Sequence, residues 1–283
     1  MTIIRYLGGP TALIEFGGIR LLTDPTFDAP GDYPIGQRKL VKTAGPALAT
    51  AEVGHVDAVL LSHDQHPDNL DTAGRAYAAQ APLVLSTASA QERLGGPVRT
   101  LANWESYELA DGLRVTGVPA QHGPDGSEDL VGEVTGFVLE GEGLPTVYIS
   151  GDNASLGVVR QIADRCGPID IAVLFAGGAQ TPLLGEAFLT LSSTDAAKAA
   201  RLLGARHVVP LHFEHWAHFT QGPDTIRLGL RAGGAGGPAS SAEARRADRA
   251  VTTHDDGRSA GRDVADEDAG DELLRLGRKA VER

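Results

Sequence analysis

The feature that most limits how this chain can fold is a repeated one. Four times an apolar, strand-length run ends on histidine or aspartate set beside glycine or proline: Leu61-Ser62-His63-Asp64-Gln65-His66-Pro67-Asp68, Val118-Pro119-Ala120-Gln121-His122-Gly123, Ile149-Ser150-Gly151-Asp152 and Val209-Pro210-Leu211-His212. A single histidine of this kind is more often a hydrogen-bonded structural residue. The first loop alone reads equally well as a solvated turn capping the helix after it. Four recurrences are harder to ascribe to coincidence, because one sheet edge can bring all of them together. Imidazole nitrogen with carboxylate oxygen suits zinc, manganese or iron.

The rest of the chain supplies a scaffold for such an edge. Runs at 3–7, 12–16 and 19–23 read as short strands, with Gly17-Gly18 as a hairpin turn. Further strands are expected at 58–61, 83–85, 113–118, 135–139, 146–149, 169–175 and 207–211. Helices are expected at 70–79, 88–94, 155–164 and 195–203, the last opened by a Ser-Ser-Thr-Asp stretch suited to an N-cap. This is a layered α/β pattern, and 283 residues with 42% hydrophobic content suffice for one large domain or two small ones. From residue 233 the sequence turns glycine-rich and then charged, so residues 1–232 are read as the folded domain. Residues 233–283 are read as a largely disordered tail, with a terminal helix at 271–281 as an option.

Composition excludes several classes. Cys166 is the only cysteine, which rules out an internal disulfide, a zinc ribbon and a Cys-x-x-Cys pair. The apolar runs fall far short of the roughly 20 residues that cross a bilayer, and Met1 leads directly into strand-like sequence, so the expectation is a cytoplasmic protein without a membrane segment. A formal charge of −12 without a basic, aromatic-interleaved cluster argues against nucleic acid as a partner. A small-molecule substrate is expected, and homo-oligomerisation stays open. Ser150 lacks a Gly-x-Ser-x-Gly elbow, so a serine nucleophile has little support.

Over residues 3–222 the chain resembles the metallo-β-lactamase superfamily, particularly its ascorbate-6-phosphate lactonase-like and N-acyl-phosphatidylethanolamine phospholipase D-like branch. The resemblance rests on Tyr6-Leu7-Gly8-Gly9-Pro10-Thr11, Leu21-Leu22-Thr23-Asp24-Pro25, the 62–71 loop, Trp104-Glu105-Ser106, the three other strand ends, and the segment from Pro210 to Phe219. It implies a four-layer αββα sandwich. It also implies a first metal on His63, His66 and His122 and a second on Asp68 and His212, with Asp152 between them. One or two divalent ions, zinc or manganese, would activate a water, which Asp68 orients or deprotonates, as a hydroxide nucleophile. His215 and His218 follow His212 closely enough to line a pocket and protonate a leaving group, although packing beneath the sheet edge is the commoner use of such residues. Asp24 is a candidate to orient a ligand imidazole, or simply a turn residue before Pro25.

One departure bears on the second metal. The family loop reads His-x-His-x-Asp-His, whereas this chain reads His63-x-x-His66-x-Asp68-Asn69. Asn69 stands where the last histidine usually ligates the second ion, and asparagine offers only a neutral carbonyl oxygen. The resulting expectation is a metal-dependent hydrolase of a small ester, lactone or phosphoester, with a phosphodiesterase as the nearest enzymatic alternative. A non-catalytic metal-binding or ligand-sensing module with a degenerate second site is the alternative of a different class.

Overall fold

The structure, a computed structural model, describes residues 2–232 and 250–253. In chain order its strands begin with β1 (Thr2–Gly8), β2 (Thr11–Phe16), β3 (Ile19–Thr23), β4 (Gly31–Ile35), β5 (Arg38–Lys42), β6 (Ala58–Leu60), β7 (Val84–Ser86) and β8 (Val98–Thr100). They continue with β9 (Ser106–Glu108), β10 (Arg114–Pro119), β11 (Thr135–Glu140), β12 (Val147–Ile149), β13 (Ile171–Phe175), β14 (His207–Leu211) and β15 (Ala250–Thr253). The helices are α1 (Thr50–Val53), α2 (Thr72–Ala78), α3 (Ala88–Leu94), α4 (Glu128–Val131), α5 (Leu156–Cys166), α6 (Ser193–Leu202) and α7 (Pro223–Ala232).

Side-chain alternation along the strands sorts the apolar residues into three layers. In β6, Ala58 and Leu60 face the other sheet while Val59 faces outward, and in β13 Ile171, Val173 and Phe175 face inward while Ala172 and Leu174 face outward. The inward sets meet between a sheet ordered β15-β1-β2-β3-β6-β7-β8 and a sheet ordered β14-β13-β12-β11-β10-β9. The outward face of the first sheet packs on Val53 of α1, Ala78 of α2 and Leu94 of α3. That of the second packs on Val159 and Ile162 of α5, Ala196 and Ala199 of α6 and Ile226 of α7. These are the four layers of the αββα sandwich, and each fully buried Val or Ile contributes about 1.5–3 kcal/mol.

The helices start where local chemistry directs. Ser192 accepts from the Asp195 amide at 3.1 Å to cap α6, as the Ser-Ser-Thr-Asp stretch predicts, and Asp71, Thr87 and Ser155 cap α2, α3 and α5 in the same way. None of the helices among the described residues is long and apolar enough to cross a membrane. Ala250–Thr253 belong to the segment read as a largely disordered tail. They pair antiparallel with β1, in keeping with the β-branched Val251, Thr252 and Thr253. The rest of that segment, including the helix expected at 271–281, lies outside the described residues.

The β4–β5 hairpin stands apart from both sheets, and it is rooted by an ion pair. Lys42 Nζ lies 2.8 Å from Asp71 Oδ2, with both side chains essentially inaccessible. Asp71 also accepts from the amides of Phe27, Asp28 and Gly74. Removing one partner strands a buried charge, so Lys42→Met is expected to cost about 3–5 kcal/mol in urea unfolding; a loss under 1 kcal/mol would show the pair to be dispensable.

Candidate metal centre at the strand ends

Strand direction explains why the site residues meet. β3 runs parallel to β6, so Asp24 after β3 stands beside Ser62 and His63 after β6. β12, β13 and β14 are mutually parallel, and β10, two antiparallel steps from β12, shares its direction. His122, Asp152 and His212 therefore leave the second sheet on one edge, the carboxyl edge where open α/β sheets bind ligands. Asp24 and His212 hold φ of 26° and 55°, left-handed values that non-glycine residues seldom adopt.

Six of the residues named from the sequence form two adjoining donor groups. His63, His66, His122 and Asp152 offer ligand atoms within 4.8 Å of one another. His66 Nδ1 lies 3.0 Å from His63 Nε2 and 3.3 Å from His122 Nε2, while Asp152 Oδ2 lies 3.6 Å from His122 Nε2. The other oxygen, Asp152 Oδ1, faces His212 Nε2 at 3.4 Å, and that nitrogen is also 3.4 Å from Asp68 Oδ2. His218 Nε2 approaches the same Asp68 oxygen at 3.0 Å.

Hydrogen-bond partners fix which imidazole nitrogens are bare. His122 Nδ1 donates to the Leu189 carbonyl at 2.9 Å, which leaves a lone pair on Nε2. Ser62 Oγ donates to Asp24 Oδ2 at 2.8 Å and so accepts from His63 Nδ1 at 3.0 Å, again leaving Nε2 bare. Asp24 thus reaches the His63 imidazole through Ser62. It also accepts from the Ser62 amide at 2.6 Å, and burial, with Asp152 adding to it, raises its pKa to about 7.

The charges follow the same division. Burial holds His63 well below the usual histidine range and, with His122 beside it, brings His66 down to about 4. Both are neutral lone-pair donors at neutral pH. For His212, burial opposes the charge, but Asp152 and Asp68 outweigh it and push its pKa up to about 10. Burial likewise opposes ionisation of the two carboxyls. His218 and His212 beside Asp68, and His212, His122 and His63 around Asp152, hold both below the ordinary carboxylate range. Neutral imidazoles interleaved with two buried anions fit a divalent cation, and Asp68 Oδ1 and both His212 nitrogens are buried without a hydrogen-bond partner.

Other expectations fall differently. Asn69 donates its amide to Asp24 Oδ2 and Asp152 Oδ1, each at 3.4 Å. His215 is turned from the cavity and fills the space beside Gly8, where any Cβ would collide with its ring. Trp104 lies under the Arg165 guanidinium, away from the donors. A cavity of about 990 Å³ opens over the two groups, and His66, Asp68, His122, Asp152 and His218 line its floor. Its walls come from the β4–β5 hairpin and the 179–183 segment, which Arg38 Nη1 ties together by donating to Thr181 Oγ1 at 2.7 Å. Neither Ser62 nor this hairpin is singled out by the sequence, because a lone serine and a lone arginine carry no spacing signal.

Residues 19–213 match the family described as the beta-lactamase superfamily domain. A UPF0173 metal-dependent hydrolase of Rubrobacter xylanophilus is 33% identical over 220 residues, 75% of this chain and 81% of that protein. Its counterpart from Thermococcus kodakarensis is 27% identical over 230 residues, 80% and 91% of the two chains. The chain belongs to the metallo-β-lactamase superfamily of metal-dependent hydrolases. In fold it is similar to an isothiocyanate hydrolase from Delia radicum gut bacteria, with a TM-score of 0.74 and 20% identity over 89% of this chain and 99% of that one. It is also similar to a possible metal-dependent hydrolase from Veillonella parvula, with a TM-score of 0.73 and 18% identity over 89% and 100%.

Two outcomes follow. His212 has a folded pKa of about 10 against an ordinary 6.5, so its contribution to metal-free stability is complete below about pH 6.5 and is lost as pH rises through 10. A metal held by His212 would have to displace that proton, and its affinity would then rise up to about tenfold per pH unit between about pH 7 and 10. Calorimetry in buffers of different ionisation enthalpy would register the released proton, and a pH-independent affinity would contradict the assignment. Asp24→Ala removes the acceptor of both the Ser62 amide and the Ser62 hydroxyl and is expected to cost about 1–3 kcal/mol in thermal or denaturant unfolding.

Proposed function

We propose that the chain hydrolyses a small ester, lactone or phosphoester in the cavity above the two donor groups, with a lactone as the favoured class. The observation that carries this reading is Asp152: its two oxygens face different donor groups, on the floor of a cavity large enough for a small-molecule substrate. His63, His66, His122 and Asp152 would hold one ion, and Asp152, Asp68 and His212 would contribute to the other. Three imidazoles suit zinc, and the more oxygen-rich second group accepts manganese as well. When bound, a divalent ion supplies a water that deprotonates near neutral pH and a charge that polarises the bond under attack.

The chain's own groups supply orientation. Asp68, held ionised by His218 and His212, accepts a hydrogen bond from the attacking water and fixes its direction. Leu130 and Leu183 line the cavity yet are 56% and 51% exposed, an apolar wall suited to a hydrocarbon portion of the substrate. Preference for a lactone rests on the resemblance to the lactonase-like branch, since the fold itself hosts many chemistries. The phosphodiesterase reading draws on Arg38 and Lys39 in the cavity wall, and the ligand-sensing reading draws on Asn69.

The test is turnover by protein loaded with zinc or manganese, on a panel of esters, lactones, phosphodiesters and isothiocyanates. At least one class is expected to react, and Asp68→Asn is expected to lower kcat by about 10²–10⁴-fold with KM nearly unchanged. Binding of a panel member without turnover would make the chain a sensor.

A further inference from the structure

We propose that His218 supplies the imidazole that the histidine loop lacks, completing a second metal-binding group with Asp68, Asp152 and His212. The inference rests on the metal-centre reading above and assigns to His218 a ligand role in place of leaving-group protonation. Its starting point is Asn69. An amide nitrogen carries no lone pair for a cation, and this one is directed at Asp24 Oδ2 and Asp152 Oδ1. The side chain that would ligate in the family loop serves here as a donor to two carboxylates.

On the loop after β14 stands an imidazole that the loop after β6 lacks. His218 Nε2 is 3.0 Å from Asp68 Oδ2, the same oxygen that His212 Nε2 approaches at 3.4 Å. His218 lines the cavity floor with Asp68 and Asp152, and its side chain is only 16% exposed. Its Nδ1 is buried without a hydrogen-bond partner, so no neighbour commits the ring to an unrelated role. Phe219 sets its aim: the phenyl ring lies 4.5 Å from the His218 ring and 4.6 Å from that of His212, so both imidazoles are braced on one aromatic spacer.

His212 and His218 both approach Asp68 Oδ2, and His212 also faces Asp152 Oδ1, so with His218 the second group offers two imidazole nitrogens and two carboxylate oxygens, the number of donors a four-coordinate divalent ion takes. Without it the group has three donors and a neutral amide. The chain has moved one imidazole from the loop after β6 to the loop after β14, and the second site survives the loss of histidine at position 69.

Metal-stripped full-length protein would be dialysed against zinc or cobalt(II), with bound metal counted by mass spectrometry and the cobalt environment followed by its visible absorption. Wild type is expected to hold two ions and His218→Ala one, with the cobalt band of the second site lost and that of the first retained, which also reports that the variant is folded. In the double variant Asn69→His/His218→Ala the second ion is expected to return. A wild type that binds a single ion would overturn the proposal, as would a His218→Ala protein that binds two with unchanged affinity or none at all. Any of those results would leave the hydrolase reading standing on turnover, because the three-histidine group is independent of His218.

Discussion

Asp152 is a carboxylate with 1% of its surface accessible, at the bottom of a cavity and ringed by His63, His122 and His212. Burying an anion in so dry a place is tolerable only with compensating positive charge or convergent donors. Both sheets are arranged to deliver them. The second sheet brings His122 and His212 to the same edge as Asp152 because β10, β12 and β14 share a direction. The first brings His63 across the sandwich from the end of β6. If either sheet slipped by one residue, side chains would exchange faces, and the aspartate would be left facing apolar layers.

The orientation of the histidines depends on groups that bind nothing themselves. Asp24 reaches His63 only through the Ser62 hydroxyl, and the Leu189 carbonyl sets the tautomer of His122 from a distant loop. These contacts place lone pairs, and a lone pair on the wrong nitrogen would disable a ligand as completely as its deletion. The left-handed backbone at Asp24 and His212 belongs to the same arrangement, since each residue turns sharply off its strand to face the neighbouring element.

Much of this was legible in the sequence, and the reasons are specific. Near-continuous apolar, β-branched runs mark β2, β3, β13 and β14, because strands buried on both faces leave few polar residues to interrupt them. The candidate donors His63, His122, Asp152 and His212 were legible because each closely follows the end of an apolar strand. The β4–β5 hairpin was not, since Gly31-Asp32-Tyr33-Pro34-Ile35 has no alternation and buries none of its side chains fully. Ser62 escaped because a hydroxyl beside a histidine is chemically silent until its partner, 38 residues away at Asp24, is known to be adjacent. The reach of His218 to Asp68 escaped for a related reason: it depends on the loop after His212 folding back, which spacing alone does not encode.

The hairpin has a consequence for how such an enzyme could diversify. Its root is fixed by the inaccessible Lys42–Asp71 pair, while its tip, Ile35 to Leu40, forms cavity wall and is joined to neither large sheet. Mutations at the tip therefore fall outside both the three packed layers and the histidine cage. Changes there can reshape the cavity wall by small steps with little penalty to folding, so lineages that share this sandwich are free to vary the space above the same buried cluster of imidazoles and carboxylates.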